Sequence, residues 1–313
     1  MNKTKSRSEV VVDKERAREV LDTLYTAYVR GEKLFQHVNR EMHAPQRKYF
    51  PFGVEARSLG RQRWLFFAAM TDRREVSDRV YESHARLSEK HPELYTEDVV
   101  KMSSVQIEAL LKSEKVGSPG QSAKYWPRCA ETLFGSFAGD PLLLYRGRTI
   151  NDILDFKRSQ CESNLPGFGP KILSLLALFY EELGVMEMPV DAFPVDVHVQ
   201  RFAISNGIIK SSGKVLNEEV ERILRPLLCE IVLEKGWSAL EMSHAIWFLG
   251  NRLCSGCYRD SIPKILCPSY GHCGGSISTI TYFRRGFWDL GVERHRKGGS
   301  SNFALPESSP LFL

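Results

Sequence analysis

Hydrophobic positions in the chain recur mostly at steps of three and four, the spacing that lines side chains along one face of an α-helix. From Asp13, a residue type that starts helices, Ala17, Val20, Leu21, Leu24, Tyr25 and Tyr28 draw one apolar stripe, predicting a first helix to about Arg30. Residues 42–58 contain two prolines and a glycine and read as a loop. The stretch from Arg61 to Pro92 predicts an apolar helix that breaks near Thr71 and resumes as an amphipathic one. Helical patterns follow at about 95–114, 121–138 and 149–160, and another begins near 170 with ILSLLALFYEELG. No strand-like alternation runs for more than a few residues, and no repeat is visible. The fold class predicted is all-α.

One stretch departs from ordinary helix-turn-helix grammar. Asn164-Leu165-Pro166-Gly167-Phe168-Gly169-Pro170-Lys171 sets two glycines and two prolines around one phenylalanine, with a lysine at the mouth of the next helix. A turn between helices needs one glycine at most. Two, placed one residue apart, suit a backbone that something approaches closely, since glycine has no Cβ to obstruct it. Backbone N–H groups at such a turn and at the following helix start form an anion site suited to phosphate. Pro170 fits the first helical turn, where its missing N–H costs nothing. Leu165 and Phe168 are placed as anchors in the core. The alternative is a simple turn, with Lys171 a surface lysine. Further on, VDVHVQRF reads as a helix start with Asp196 as N-cap, and Asp191 stands just upstream as a rival carboxylate.

Composition changes this picture little. The 313 residues, 42% hydrophobic and 26% charged, suit a globular chain with two domains. A net charge of +5 is compatible with a polyanionic partner without requiring one. With no run of about eighteen apolar residues and no secretory leader pattern, an intracellular protein without a membrane partner is expected. Cysteines add more. Of seven, Cys254, Cys257, Cys267 and Cys273 crowd together with two, nine and five intervening residues. In an intracellular chain such a cluster reads as a metal site, either a [4Fe–4S] cluster or zinc, with His272 a further zinc ligand type.

Taken together, L-P-G-F-G-P-K, then P-V-D-V-H-V, then the cysteine cluster resemble the helix-hairpin-helix DNA glycosylase superfamily, in particular its endonuclease III branch. The resemblance runs from about Arg61 to Cys273. It implies a bifunctional DNA glycosylase and AP lyase acting on damaged bases in double-stranded DNA, with Lys171 as nucleophile and Asp196 as essential carboxylate. It further implies a [4Fe–4S] cluster on the four cysteines, whose loop offers Arg259 and Lys264 to DNA phosphates. Only the final gap of the cysteine spacing agrees with the family's usual pattern, so zinc stays open. Where that branch normally carries a glutamine that fills the gap left by the flipped nucleotide, this chain has Met70, read either as an apolar wedge or as core. Leu165, Gly167, Phe168 and Gly169 complete the expected DNA contacts.

The expected organisation is a helical barrel with the hairpin over 60–184 and an aspartate and cysteine-cluster domain over 185–280. Residues 1–59 are expected to pack with the latter, 281–313 form a basic, flexible tail, and the active cleft lies between the two domains. Tyr125, Trp126, Tyr282, Phe283, Phe287 and Trp288 stack on a base or fill cores. A monomer is expected, cytoplasmic in a prokaryote or nuclear in a eukaryote. Two other functions fit: a monofunctional glycosylase in which Asp196 activates water, and a non-catalytic iron–sulfur protein that binds DNA structure.

Overall fold

The computed structural model describes residues 10–51, 53–72, 76–159, 164–211, 213–254, 265–273, 281–284 and 286–290. The chain is mostly helical. The longer helices are α1 (Lys14–Val29), α2 (Leu59–Thr71), α3 (Ser77–Lys90), α4 (Ser104–Ser113) and α5 (Pro119–Glu131). They continue with α6 (Ile150–Ser159), α7 (Pro170–Glu182), α8 (Val197–Ser205), α9 (Asn217–Lys235) and α10 (Ala239–Phe248). Short strands, which periodicity does not predict, occur at β1 (Val10–Val12), β2 (Ile209–Ser211), β3 (Gly213–Leu216), β4 (Thr281–Arg284) and β5 (Phe287–Leu290). None of the described helices is long and apolar enough to cross a membrane.

Two compact units divide the chain: 39–194, and a second made from 1–38 with 195–313. Residues 39–59 therefore fall in the unit with 60–194 and not with the N-terminal helix as expected. Charge explains why. Arg61 on α2 is buried between the rings of Phe50 and Trp64 and donates to the carbonyl of Gln46. Gln46 Nε2 donates to Glu182 Oε2 at 2.8 Å, and Arg47 Nε stands 3.0 Å from Glu182 Oε1. Burial pushes the Arg61 guanidinium down to about 9 and raises the Glu182 carboxyl. Removing the 39–51 segment would leave both groups buried without these partners, the costly state for an ionised side chain.

Within 39–194, α2 is apolar on nearly every face and is the central helix, as such a pattern requires. Phe67 stacks on Trp126 at 4.7 Å, and Trp126 stacks in turn on His84 at 5.8 Å. Thr71 Oγ1 donates to the carbonyl of Ala68, so it accepts from His84 Nε2 at 2.7 Å. His84 Nδ1 then accepts from the Tyr95 hydroxyl at 2.8 Å. A neutral imidazole satisfies both contacts.

The other unit is organised by α1, whose buried stripe runs Ala17, Val20, Leu21, Leu24, Ala27 and Tyr28, with Asp13 capping Arg16 N. Tyr25 stacks on Trp237 at 4.8 Å and donates to Glu241 at 2.7 Å. β1 pairs antiparallel with β2, Val11 opposite Lys210, and a three-stranded antiparallel sheet has the order β3-β5-β4. Residues 281–290, expected within a flexible tail, thus pair as a hairpin; 291–313 lie outside the described residues.

Burial pushes His84 from 6.5 down to about 3. An unfolded chain takes up this proton as pH falls below 6.5 while the folded chain does not, so stability declines from there towards pH 3. The slope for this one group is about 1.4 kcal/mol per pH unit. His84→Gln removes it. By urea unfolding at pH 7 and pH 5, the stability gap between wild type and variant should narrow by about 2 kcal/mol; a constant gap would assign the acid sensitivity elsewhere.

Candidate functional site

The hairpin is assembled wholly within the 39–194 unit. Its first helix, α6, starts under two caps: Thr149 Oγ1 accepts from Asp152 N at 3.1 Å, and Asp191 accepts from Ile150 N at 2.8 Å and Asn151 N at 3.0 Å. Asp191 therefore has a structural duty, with both oxygens committed. Residues 160–163, including Cys161, lie outside the described residues. From Asn164 the chain turns, Phe168 N donating to the carbonyl of Leu165 at 3.1 Å. Leu165 and Phe168 are both 0% exposed, and the Phe168 ring lies 4.6 Å from that of Phe66.

Side chains from behind hold the carbonyls of this turn. Thr132 Oγ1 donates to Asn164 O, Cys129 Sγ to Pro166 O at 3.4 Å, and Lys157 Nζ to Phe168 O. Gly167 adopts φ +92°, a conformation other residues avoid. Gly169 has an ordinary extended backbone, and a Cβ there would meet nothing within 4 Å in the chain itself. It is the N-cap of α7, which has Pro170 in its first turn and no side-chain cap. The N–H groups of Lys171 and Ile172 thus have no intrahelical acceptor. Lys171 is half-buried, and among the described residues its ammonium has no hydrogen-bond or ion-pair partner.

Leu165 and Phe168, read as core anchors, and Met70, read as wedge or core, all have buried side chains. Leu165 and Phe168 serve as anchors, and only their backbone remains as a contact surface. Met70, at 1% exposure near the end of α2, has the placement of a core residue and not of a wedge. Trp126 is core as well. Arg259 and Lys264 lie outside the described residues, and so does Cys257.

Asp196 belongs to the other unit. It is the N-cap of α8, its Oδ1 accepting from His198 N at 2.8 Å and Val199 N at 2.9 Å. Oδ2 accepts no hydrogen bond among the described residues. Two constraints on this turn have little sequence signal. A Cβ at Gly250 would stand 2.9 Å from His198 Cβ and 3.3 Å from its carbonyl oxygen, so only glycine fits there without a shift. Gln200, 1% exposed, accepts from Trp288 Nε1 at 2.6 Å.

Gly250 lies in a π-helical turn, Leu249–Cys254, that continues α10 into the first cysteine of the cluster. Cys254 and Cys267 are buried, at 9% and 5% exposure, and Cys273 ends a short turn, Tyr270–Cys273. His272 faces α1: its Nε2 lies 3.0 Å from Thr23 Oγ1 and its carbonyl accepts from Arg16 Nη2 at 2.7 Å. Its Nδ1 lies 3.7 Å from Glu19 Oε1, so both ring nitrogens face groups on α1. Among the described residues no three His, Cys, Asp or Glu side chains form a metal-binding group.

Compared with protein-family models and with curated proteins, the chain finds no match. The hairpin geometry carries its own test. Gly167→Ala should lower unfolding stability by about 1–2 kcal/mol, since a Cβ is strained at positive φ. Urea denaturation reads this directly, and an equally stable variant would show that the turn accepts another backbone conformation.

Proposed function

We propose that the chain is a DNA glycosylase with associated lyase activity, which flips a damaged base from duplex DNA, removes it and cleaves the strand. The observation that carries this reading is Lys171: an amine with no partner among the described residues, half-buried, in the uncapped first turn of a helix entered through a glycine-rich hairpin. A nucleophile needs its lone pair free.

In the proposed reaction Lys171 Nζ, as a neutral amine, attacks C1′ of the flipped nucleotide. The C1′–N bond breaks and the base leaves with the electron pair, taking a proton. Positive charge develops on the sugar in that step. A carboxylate with one oxygen locked by backbone N–H groups and the other available, as at Asp196, stabilises it electrostatically. Opening of the sugar gives a Schiff base. Loss of a C2′ proton then expels the 3′ phosphate by β-elimination, and water frees the lysine. The open space beside Gly169 and the N–H groups at the start of α7 suit a DNA phosphate and read no sequence.

Cys254, Cys257, Cys267 and Cys273 are proposed to hold a structural [4Fe–4S] cluster, with zinc as the alternative metal. Its part is to fold the cysteine loop, and no step of the reaction passes through it. The free oxygen of Asp196 equally suits orienting a water molecule, which is the monofunctional version of the same activity.

Borohydride trapping on duplexes carrying oxidised, alkylated or deaminated bases separates these readings. Wild type should form a covalent adduct on at least one lesion, Lys171→Gln none, and Asp196→Asn should lose base release while still binding abasic DNA. Base release without an adduct selects the monofunctional enzyme, and neither on any lesion overturns the glycosylase reading. For the cluster, anaerobically purified protein should be brown, with iron and acid-labile sulfide in equal amounts, both lost in Cys254→Ser. A colourless protein with stoichiometric zinc would establish the other metal.

A further inference from the structure

The first turn of α8 is held from two sides by residues that bear no resemblance to a catalytic motif. Asp196 Oδ1 is fixed by the N–H groups of His198 and Val199, so the position of the whole carboxylate follows the position of that turn. Gln200 closes the turn through its own backbone, its N–H donating to the carbonyl of Asp196 at 3.0 Å. The side chain of the same residue points the other way and accepts from Trp288 Nε1 at 2.6 Å. Both partners are nearly sealed from water, at 1% and 0% exposure. A buried amide oxygen that loses its donor is left without one, so the bond fixes Gln200 far more firmly than a surface contact would.

Trp288 reaches this place on β5, the middle strand of the β3-β5-β4 sheet, where it stands opposite Val215 on β3 and Phe283 on β4. A central strand is held along both edges, so its backbone is a firm support for the indole. A second contact comes from Gly250, whose Cα hydrogen sits where a side chain would strike His198. The turn thus has a close backbone neighbour and a buried tether, both within the unit made from 1–38 and 195–313.

We propose that Trp288 is a positioning residue for Asp196: acting through Gln200, it holds the first turn of α8 and with it the free oxygen of the carboxylate. The consequence for turnover rests on the glycosylase reading above; the brace itself does not. It also gives the segment after the cysteine cluster a definite duty, that of supporting the active carboxylate from behind.

The test uses the full-length chain. Trp288→Phe keeps a ring and removes the N–H, while Gln200→Met keeps the length and removes the acceptor. In amide exchange followed by NMR, His198 and Val199 should exchange about tenfold faster in either variant, with the α9 amides unchanged, and the double variant should match the singles. On an oxidised-pyrimidine duplex, single-turnover base release should fall about 10- to 100-fold, the scale set by a small misplacement of a catalytic group, with abasic-duplex affinity unchanged. Unaltered protection of His198 and Val199 in both variants would overturn the brace, whatever the kinetics. Faster exchange in a protein whose wild type releases no base would keep the brace and remove the glycosylase reading.

Discussion

Backbone N–H groups at a helix start need acceptors, and one short stretch of this chain meets that need twice with carboxylates. Asp191 spends both oxygens on α6, one on Ile150 N and the other on Asn151 N. Asp196 directs a single oxygen to two N–H groups of α8 and keeps the other. The residue type is the same and so is the capping duty. The difference in geometry decides which carboxylate keeps one whole oxygen clear of its cap, among the described residues. Capping leaves Asp196 with acceptor capacity because a carboxylate has more lone pairs than one helix start consumes.

The hairpin follows a similar division of polar groups. Its carbonyls at Asn164, Pro166 and Phe168 are taken by Thr132, Cys129 and Lys157, all from within the fold. Among the described residues, what stays unopposed is donor character: the N–H groups at the start of α7 and the ammonium of Lys171. Aromatic burial makes this arrangement rigid, since Phe168 is packed on Phe66 of the central helix. The glycines do separate jobs. Gly167 relieves backbone strain, whereas Gly169 leaves space.

Local signals in the sequence translate well where the rule involved is local. Asp13 and Asp196 were readable as caps because each precedes a periodic apolar run. The break near Thr71 was readable for the same reason, as α2 ends there. Boundaries set by long-range charge were not. The grouping of 39–59 with 60–194 depends on Arg61, Gln46 and Glu182, which are spread along the sequence and show no periodicity. The strands were hidden by length, since three or four residues cannot display an alternation. Trp288 sits in a stretch crowded with arginines, where composition suggests a surface, yet its strand pairing turns the indole inward. Of the two readings open for Met70, wedge or core, its 1% exposure fits core.

A free carboxylate oxygen is only as well placed as the turn that carries it. A helix N-terminus frays easily, and one cap bond would leave that turn mobile. Here the turn is confined by a glycine with no room for a methyl group and by a buried bond between an indole and an amide. The glycine belongs to the π-helical turn that ends at Cys254, so any group that organises the cysteines also bears on the backbone facing His198. π-Helical turns are uncommon and concentrate at functional sites because the extra residue redirects one side chain at a cost in backbone geometry. In this chain that cost is coherent with the rest: the same six residues deliver a cysteine to its loop and a bare backbone to the turn of Asp196.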